Sequence, residues 1–254
     1  MNLPEGLPPE VFLGILGAFL AGGLVKGVLG FGLPLITMSI LPFFAPLDLA
    51  LAINILVQPV SNLGQLFGSG VARETMRRFW VFVPTLGIGV AAGTAFLSGL
   101  SPETLLLCIG AMVMAFSVVQ LTGARIAIPA RHETAGGAVT GLLAGVAGAL
   151  TTVNGPLFIL YLVGCEVDRT VFRATLAYLF IVSAVFIAGG FASIGILTTE
   201  RVGIAAVCLA PIFAGMWLGN RMGRRLPQAL FRRLVLVALF GIGANFVARG
   251  AGFG

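Results

Sequence analysis

Long apolar runs separated by short polar connections organise this chain. The runs fall at 11–44, 49–67, 79–100, 104–121, 135–164, 175–197, 202–219 and 230–248. A membrane-crossing helix needs roughly 20 apolar residues, so all but the first and fifth are about one span long. Those two are longer, rich in glycine, and carry a proline at Gly32-Leu33-Pro34-Leu35 and Asn154-Gly155-Pro156-Leu157. Proline suits the first turn of a helix and breaks one elsewhere. Each long run is therefore expected to be a hairpin of two short helices.

The two halves repeat one another. Setting Pro34 against Pro156 places Gly23 opposite Gly145. Pro84-Thr85-Leu86-Gly87-Ile88-Gly89 then matches Pro211-Ile212-Phe213-Ala214-Gly215, and Gly89-x-x-x-Gly93 matches Gly215-x-x-x-Gly219. Ser101-Pro102-Glu103-Thr104-Leu105 matches Leu226-Pro227-Gln228-Ala229-Leu230. Matches in the same order point to an internal duplication. The expected organisation is a first repeat over 1–123 with hairpin 11–44 and spans 49–67, 79–100 and 104–121. A linker covers 124–134. The second repeat covers 135–254, with hairpin 135–164 and spans 175–197, 202–219 and 230–248.

Charge constrains how the repeats sit. One connection carries Arg73, Arg77 and Arg78, and another carries Arg221, Arg224, Arg225, Arg232 and Arg233. Both belong on the cytoplasmic side by the positive-inside rule. Eight simple spans with parallel repeats would put them on opposite sides. Two hairpins that enter and leave by one face remove the conflict. The expected fold is thus an all-α polytopic membrane protein of two inverted repeats, each a broken, re-entrant hairpin plus three transmembrane helices, with both termini outside.

Composition agrees with a membrane protein: 58% apolar, 9% charged and a mean hydropathy of +1.08, where soluble domains carry about 25% charged residues. The net charge of +6 would raise nucleic acid as a partner for a soluble chain. Here the arginines cluster between apolar runs, so topology accounts for them and no nucleic acid is expected. Cys108, Cys165 and Cys208 stand singly, without metal-ligand or disulfide spacing. His132, the only histidine, lies in the polar linker. No basic residue precedes the first apolar run, which argues against a cleaved signal peptide. No paired carboxylates, nucleophile–base pair or P-loop is present, so neither an enzyme nor a cofactor or metal is expected. The Gly-x-x-x-Gly pairs suit helix packing, inside the protomer or in a homodimer.

The residues that carry chemistry sit where polarity interrupts hydrocarbon. Lys26 is the only lysine and lies inside Gly22-Gly23-Leu24-Val25-Lys26-Gly27, with Glu5 and Glu10 its only acidic neighbours upstream and none within twenty positions downstream. A cation at bilayer depth costs about 3 kcal/mol to well above 10. It either faces a cavity, where an anionic substrate would satisfy it, or snorkels to the headgroups. Asn54, Gln58, Ser61, Asn62 and Gln65 share one helix face; they line a polar path or bond across helices. Thr151-Thr152-Val153-Asn154-Gly155-Pro156 reads as an unwound hairpin tip, where half-helix N–H groups favour an anion, or as a locally satisfied kink. Gly30 and Gly32 would form the matching first tip. Arg173 either draws anions to an entrance or pairs with Asp168.

With these residues in view, the chain resembles the TauE/SafE family of sulfite and organosulfonate exporters over nearly its whole length. The resemblance rests on the duplicated glycine-rich hairpins, on Asn154-Gly155-Pro156 followed by Tyr161-Leu162, and on Phe172-Arg173-Ala174-Thr175. It implies a multi-pass protein of a bacterial inner membrane that exports small sulfur-containing anions by alternating access. The expected substrate-binding residues are Lys26 with the two tips, Gly30, Gly32, Thr151, Thr152 and Asn154, which form one midplane site; Asn54 and Gln58, which supply donors along the path; and Arg173 at the entrance. An anion-selective channel and a membrane-embedded enzyme remain the alternatives.

Overall fold

A computed structural model describes residues 6–97, 99–123, 127–224 and 227–252, and of Gln228 the backbone only. The start of the expected linker, 124–126, lies outside them, as do Arg225 and Leu226. The described residues form helices joined by short turns, with no strand among them. The helices are α1 (Pro9–Leu29), α2 (Leu33–Ile40), α3 (Leu47–Phe67), α4 (Ala72–Arg78), α5 (Phe82–Leu97), α6 (Pro102–Thr122), α7 (Glu133–Thr151), α8 (Gly155–Gly164), α9 (Arg169–Ser193), α10 (Thr199–Gly223) and α11 (Gln228–Gly250). Among the described residues seven helices are long and apolar enough to cross a membrane. An eighth span arises if α4 and α5, bent by 65° at their junction, count together.

The two long runs break where expected but not into two short helices. The first arms, α1 and α7, are 21 and 19 residues, each close to a full crossing at about 1.5 Å per residue. Only the return arms α2 and α8 are short, at 8 and 10 residues. The break comes late because the residues that permit it come late. Gly30 (φ 85°) and Gly32 (φ 104°) turn the chain after α1, and Pro34 starts α2. Both hairpins fold back on themselves. Gly14, near the start of α1, abuts the Phe44 ring just past α2. Ile128 N–H donates to the Gly164 carbonyl (2.9 Å) and the Tyr161 hydroxyl to the Glu133 carbonyl (2.9 Å), so α8 ends beside the start of α7.

Glycine governs the packing between halves. Gly89 of α5 abuts Leu142 and Gly145 of α7, and Gly93 abuts Val146 and Ala149. In the other half Gly215 of α10 abuts Leu20, Leu24 and Gly23 of α1, and Gly219 abuts Leu24 and Gly27. These contacts map onto each other when the repeats are exchanged. The paired residues ascend together, so α5 runs parallel to α7 and α10 parallel to α1. Two packed helix pairs, α3 with α9 and α6 with α11, run antiparallel. Gln65, late in α3, donates to the carbonyl of Arg173, early in α9 (2.7 Å). In the α6–α11 pair Gly110 meets Gly243 while Gly250 meets Glu103.

Small residues let these backbones touch, which replaces the hydrophobic drive that lipid does not provide. A side chain at Gly215 would strike the Leu20 carbonyl. Gly215→Val is therefore expected to lose about 1–3 kcal/mol or more through overpacking, read as a lower melting temperature of the purified protein, whereas Gly203→Ala, inside α10 with nothing around it, does not lower it.

Candidate functional site

The arginines define two faces. On one, Arg78 at the end of α4 makes a two-pronged ion pair with Glu133 at the start of α7 (2.7 and 2.8 Å). The carboxylate raises the pKa of that guanidinium. Arg221, Arg224, Arg232 and Arg233 lie towards this face. On the opposite face Arg201 holds Asp48 (2.6 Å) and the Ile196 carbonyl (2.8 Å).

Lys26 lies in the last turn of α1 and is only 4% exposed. It does not snorkel. Its ammonium donates to the Ser61 carbonyl (2.9 Å), Ser61 Oγ (3.0 Å) and Asn62 Oδ1 (2.8 Å), all on α3. None of these partners is a carboxylate, so the charge is hydrogen-bonded yet not neutralised. Lys26 lines a cleft of about 410 Å³ between α3 and α10, together with Ser61, Gln65, Arg173 and Asn220. Arg173 leans over the first hairpin tip: a Cβ placed on Gly30 would lie 3.0 Å from its Nε. Among the described residues Arg173 has no ion pair, so pairing with Asp168 does not occur.

A second polar node lies two helical turns away. Thr37 Oγ1 of α2 donates to Asn54 Oδ1 (2.6 Å), and Asn54 Nδ2 donates to Thr152 Oγ1 (2.6 Å) at the second tip. Thr152 is a β-branched residue at φ 56°, a conformation that such residues rarely adopt and that marks local strain. Thr151 caps the tip through the Ala147 carbonyl and the Val153 N–H (2.7 and 3.1 Å). Asn154 Nδ2 donates to Ser183 Oγ (2.7 Å), while its Oδ1 is buried without a partner. Gly32 lines an apolar trench instead.

The expected single midplane site therefore resolves into two nodes. Asn54 and Ser61 are seven residues apart, about 10 Å along α3. The physical reason is the length of α1 and α7: each carries its tip beyond the middle of the bundle. Gln58 sits between the nodes, fully buried, with neither amide atom hydrogen-bonded. The next residue, Pro59, also denies the Ile55 carbonyl its helical donor. Thr175 Oγ1 of α9 is likewise buried and unpartnered.

Exchange of the repeats relates the Lys26 cleft to another. A cleft of about 540 Å³ between α5 and α9 is lined by Gly87, Val90, Thr94, Phe186 and Gly190. Their counterparts Phe213, Met216, Asn220, Gly64 and Gly68 all line the first. This second cleft carries no charged residue. Thr94 stands where the first has Asn220, and its hydroxyl is buried without a partner; Gly148 stands where the first half has Lys26.

The chain matches the family described as sulfite exporter TauE/SafE over residues 14–246. It belongs to that family. This TauE/SafE member is an integral, multi-pass membrane protein, and membership supports a membrane transporter. No curated protein and no solved structure matches the chain. Thr37 and Ser183 were missed in the sequence. Ser183 was legible as the repeat counterpart of Ser61, whereas an isolated threonine such as Thr37 gives no signal.

Proposed function

We propose that this protein is a secondary transporter of inverted-repeat architecture that exports a small sulfur-containing anion such as sulfite or an organosulfonate. The observation that carries the reading is Lys26: a buried ammonium without a carboxylate partner, in a residue that lines a cleft shared with Arg173. Antiparallel packing of α3 on α9 and α6 on α11 supports the inverted arrangement, and the folded-back arms support re-entrant hairpins. The positive-inside rule puts the Lys26 cleft on the cytoplasmic side, in a bacterial inner membrane.

The anion enters this cleft, drawn by Arg173, and takes over one of the three hydrogen bonds of Lys26, which releases Asn62. Gln58 then offers a free amide N–H along α3. Rocking of one repeat against the other closes the first cleft and opens its counterpart. There no cation holds the anion, so release is favoured on that side.

Counterflow of labelled sulfite in proteoliposomes tests this, with organosulfonates, sulfate and a neutral solute as competitors. Saturable exchange inhibited by sulfur anions is the expected result. Ohmic current without counterflow would make the protein a channel, and a chemically altered product would make it an enzyme. Single cysteines placed before α1 and after α11 should both label from outside; labelling of one alone overturns the inverted arrangement.

A further inference from the structure

The arginine face holds another cleft, of about 850 Å³, between α6, α8 and α11. Leu160, Val163, Leu236 and Val237 form its apolar wall, and Arg232 and Arg233 stand at its rim. Beyond Arg232 and Leu236 the cleft narrows to a nearly closed seam of about 10 Å³ beside Phe31 and Gly32 at the first hairpin tip. Arg232 bonds the Gln120 side chain. Among the described residues neither arginine forms an ion pair, and no Asp or Glu follows Glu200 in the sequence. No acidic residue among those described lines the cleft, so the charges on its lining are those of Arg232 and Arg233 alone.

We propose that the cleft binds an anionic phospholipid, its phosphate between Arg232 and Arg233 and one acyl chain along the cleft's apolar wall of Leu160, Val163, Leu236 and Val237, towards Phe31. A free inorganic anion would use the arginines but leave the apolar wall uncovered. A zwitterionic lipid would cover the wall but bring no net charge to the arginines. Only an anionic amphiphile matches both, and basic pockets between membrane helices on the cytoplasmic side suit such headgroups. The lipid would lie against the turning point of the first hairpin, where its presence biases the position of Gly30 to Gly32. The proposal stands independently of the transported substrate.

The test is native mass spectrometry of the full chain in detergent, with phosphatidylglycerol or phosphatidylcholine added, beside thermal melting. Retained phosphatidylglycerol and a raised melting temperature are expected, with phosphatidylcholine giving neither. Arg232→Gln with Arg233→Gln should weaken lipid binding about thirtyfold. Arg224→Gln, in the same connection but outside the cleft, should leave it unchanged. Leu160→Trp keeps every charge but fills the apolar side of the cleft, and should also lose the lipid. Equal loss in Arg224→Gln would reduce the effect to diffuse charge and overturn the site. So would equal retention of both lipids, phosphatidylglycerol retained by Leu160→Trp, or equal protection by inorganic phosphate.

Discussion

Lys26→Met loses saturable sulfite exchange while the protein still folds. Removing one partner of a buried charge pair costs about 3–5 kcal/mol, which corresponds to roughly a hundred- to several-thousandfold in anion affinity. The fold tolerates the change because two opposing terms meet at the same place. Asn62 Oδ1 loses its donor, at about 1–3 kcal/mol, but an un-neutralised ammonium no longer has to be buried. Asn62 keeps its own bond from Nδ2 to the Gln58 carbonyl (2.8 Å), and Ser61 Oγ keeps that carbonyl as well (3.1 Å). Lys26→Arg retains the charge and should keep more exchange than Lys26→Met. Counterflow and melting of both variants beside wild type check this. Unchanged exchange in Lys26→Met would leave Lys26 as a strut between α1 and α3.

Most of the architecture was legible because hydrocarbon leaves few choices. Run lengths, the proline-marked breaks and the Gly-x-x-x-Gly pairs located the elements, and Gly89 and Gly215 do meet equivalent residues in the two halves. What the pattern did not show was how far each first arm extends. Apolar runs look alike whether the chain turns halfway or near the end; here Gly30 and Gly32, with left-handed φ, set the turn. The polar stripe on α3 was likewise visible as a face, but its division into separate nodes depends on which helix crosses it at each level. That is a matter of tertiary register, which helix periodicity does not carry.

The repeats are alike in backbone contacts and unlike in charge. Lys26 and Asn220 on one side correspond to Gly148 and Thr94 on the other. A symmetric carrier with symmetric charge would hold an anion equally well at both ends. On the proposed transport reading, this asymmetry would favour capture at the Lys26 cleft and weak retention at its counterpart, which would suit export without a coupling ion when the membrane potential is negative inside.

Gln58→Leu should move stability and transport in opposite directions. Both amide atoms of Gln58 are buried without partners, and each unsatisfied group costs about 1–3 kcal/mol. Leucine is similar in size and lacks that penalty, so the variant should melt higher, by about 2–4 °C per kcal/mol for a chain of this length. If Gln58 is the donor that the anion meets between the two nodes, the same change removes a charge-assisted hydrogen bond worth about 1.5–3 kcal/mol, or roughly ten- to a hundredfold in exchange. A residue that merely packs would not separate the two readouts in this way. Higher melting with undiminished counterflow would remove Gln58 from the path, and lower melting would mean that its amide is satisfied in the folded protein.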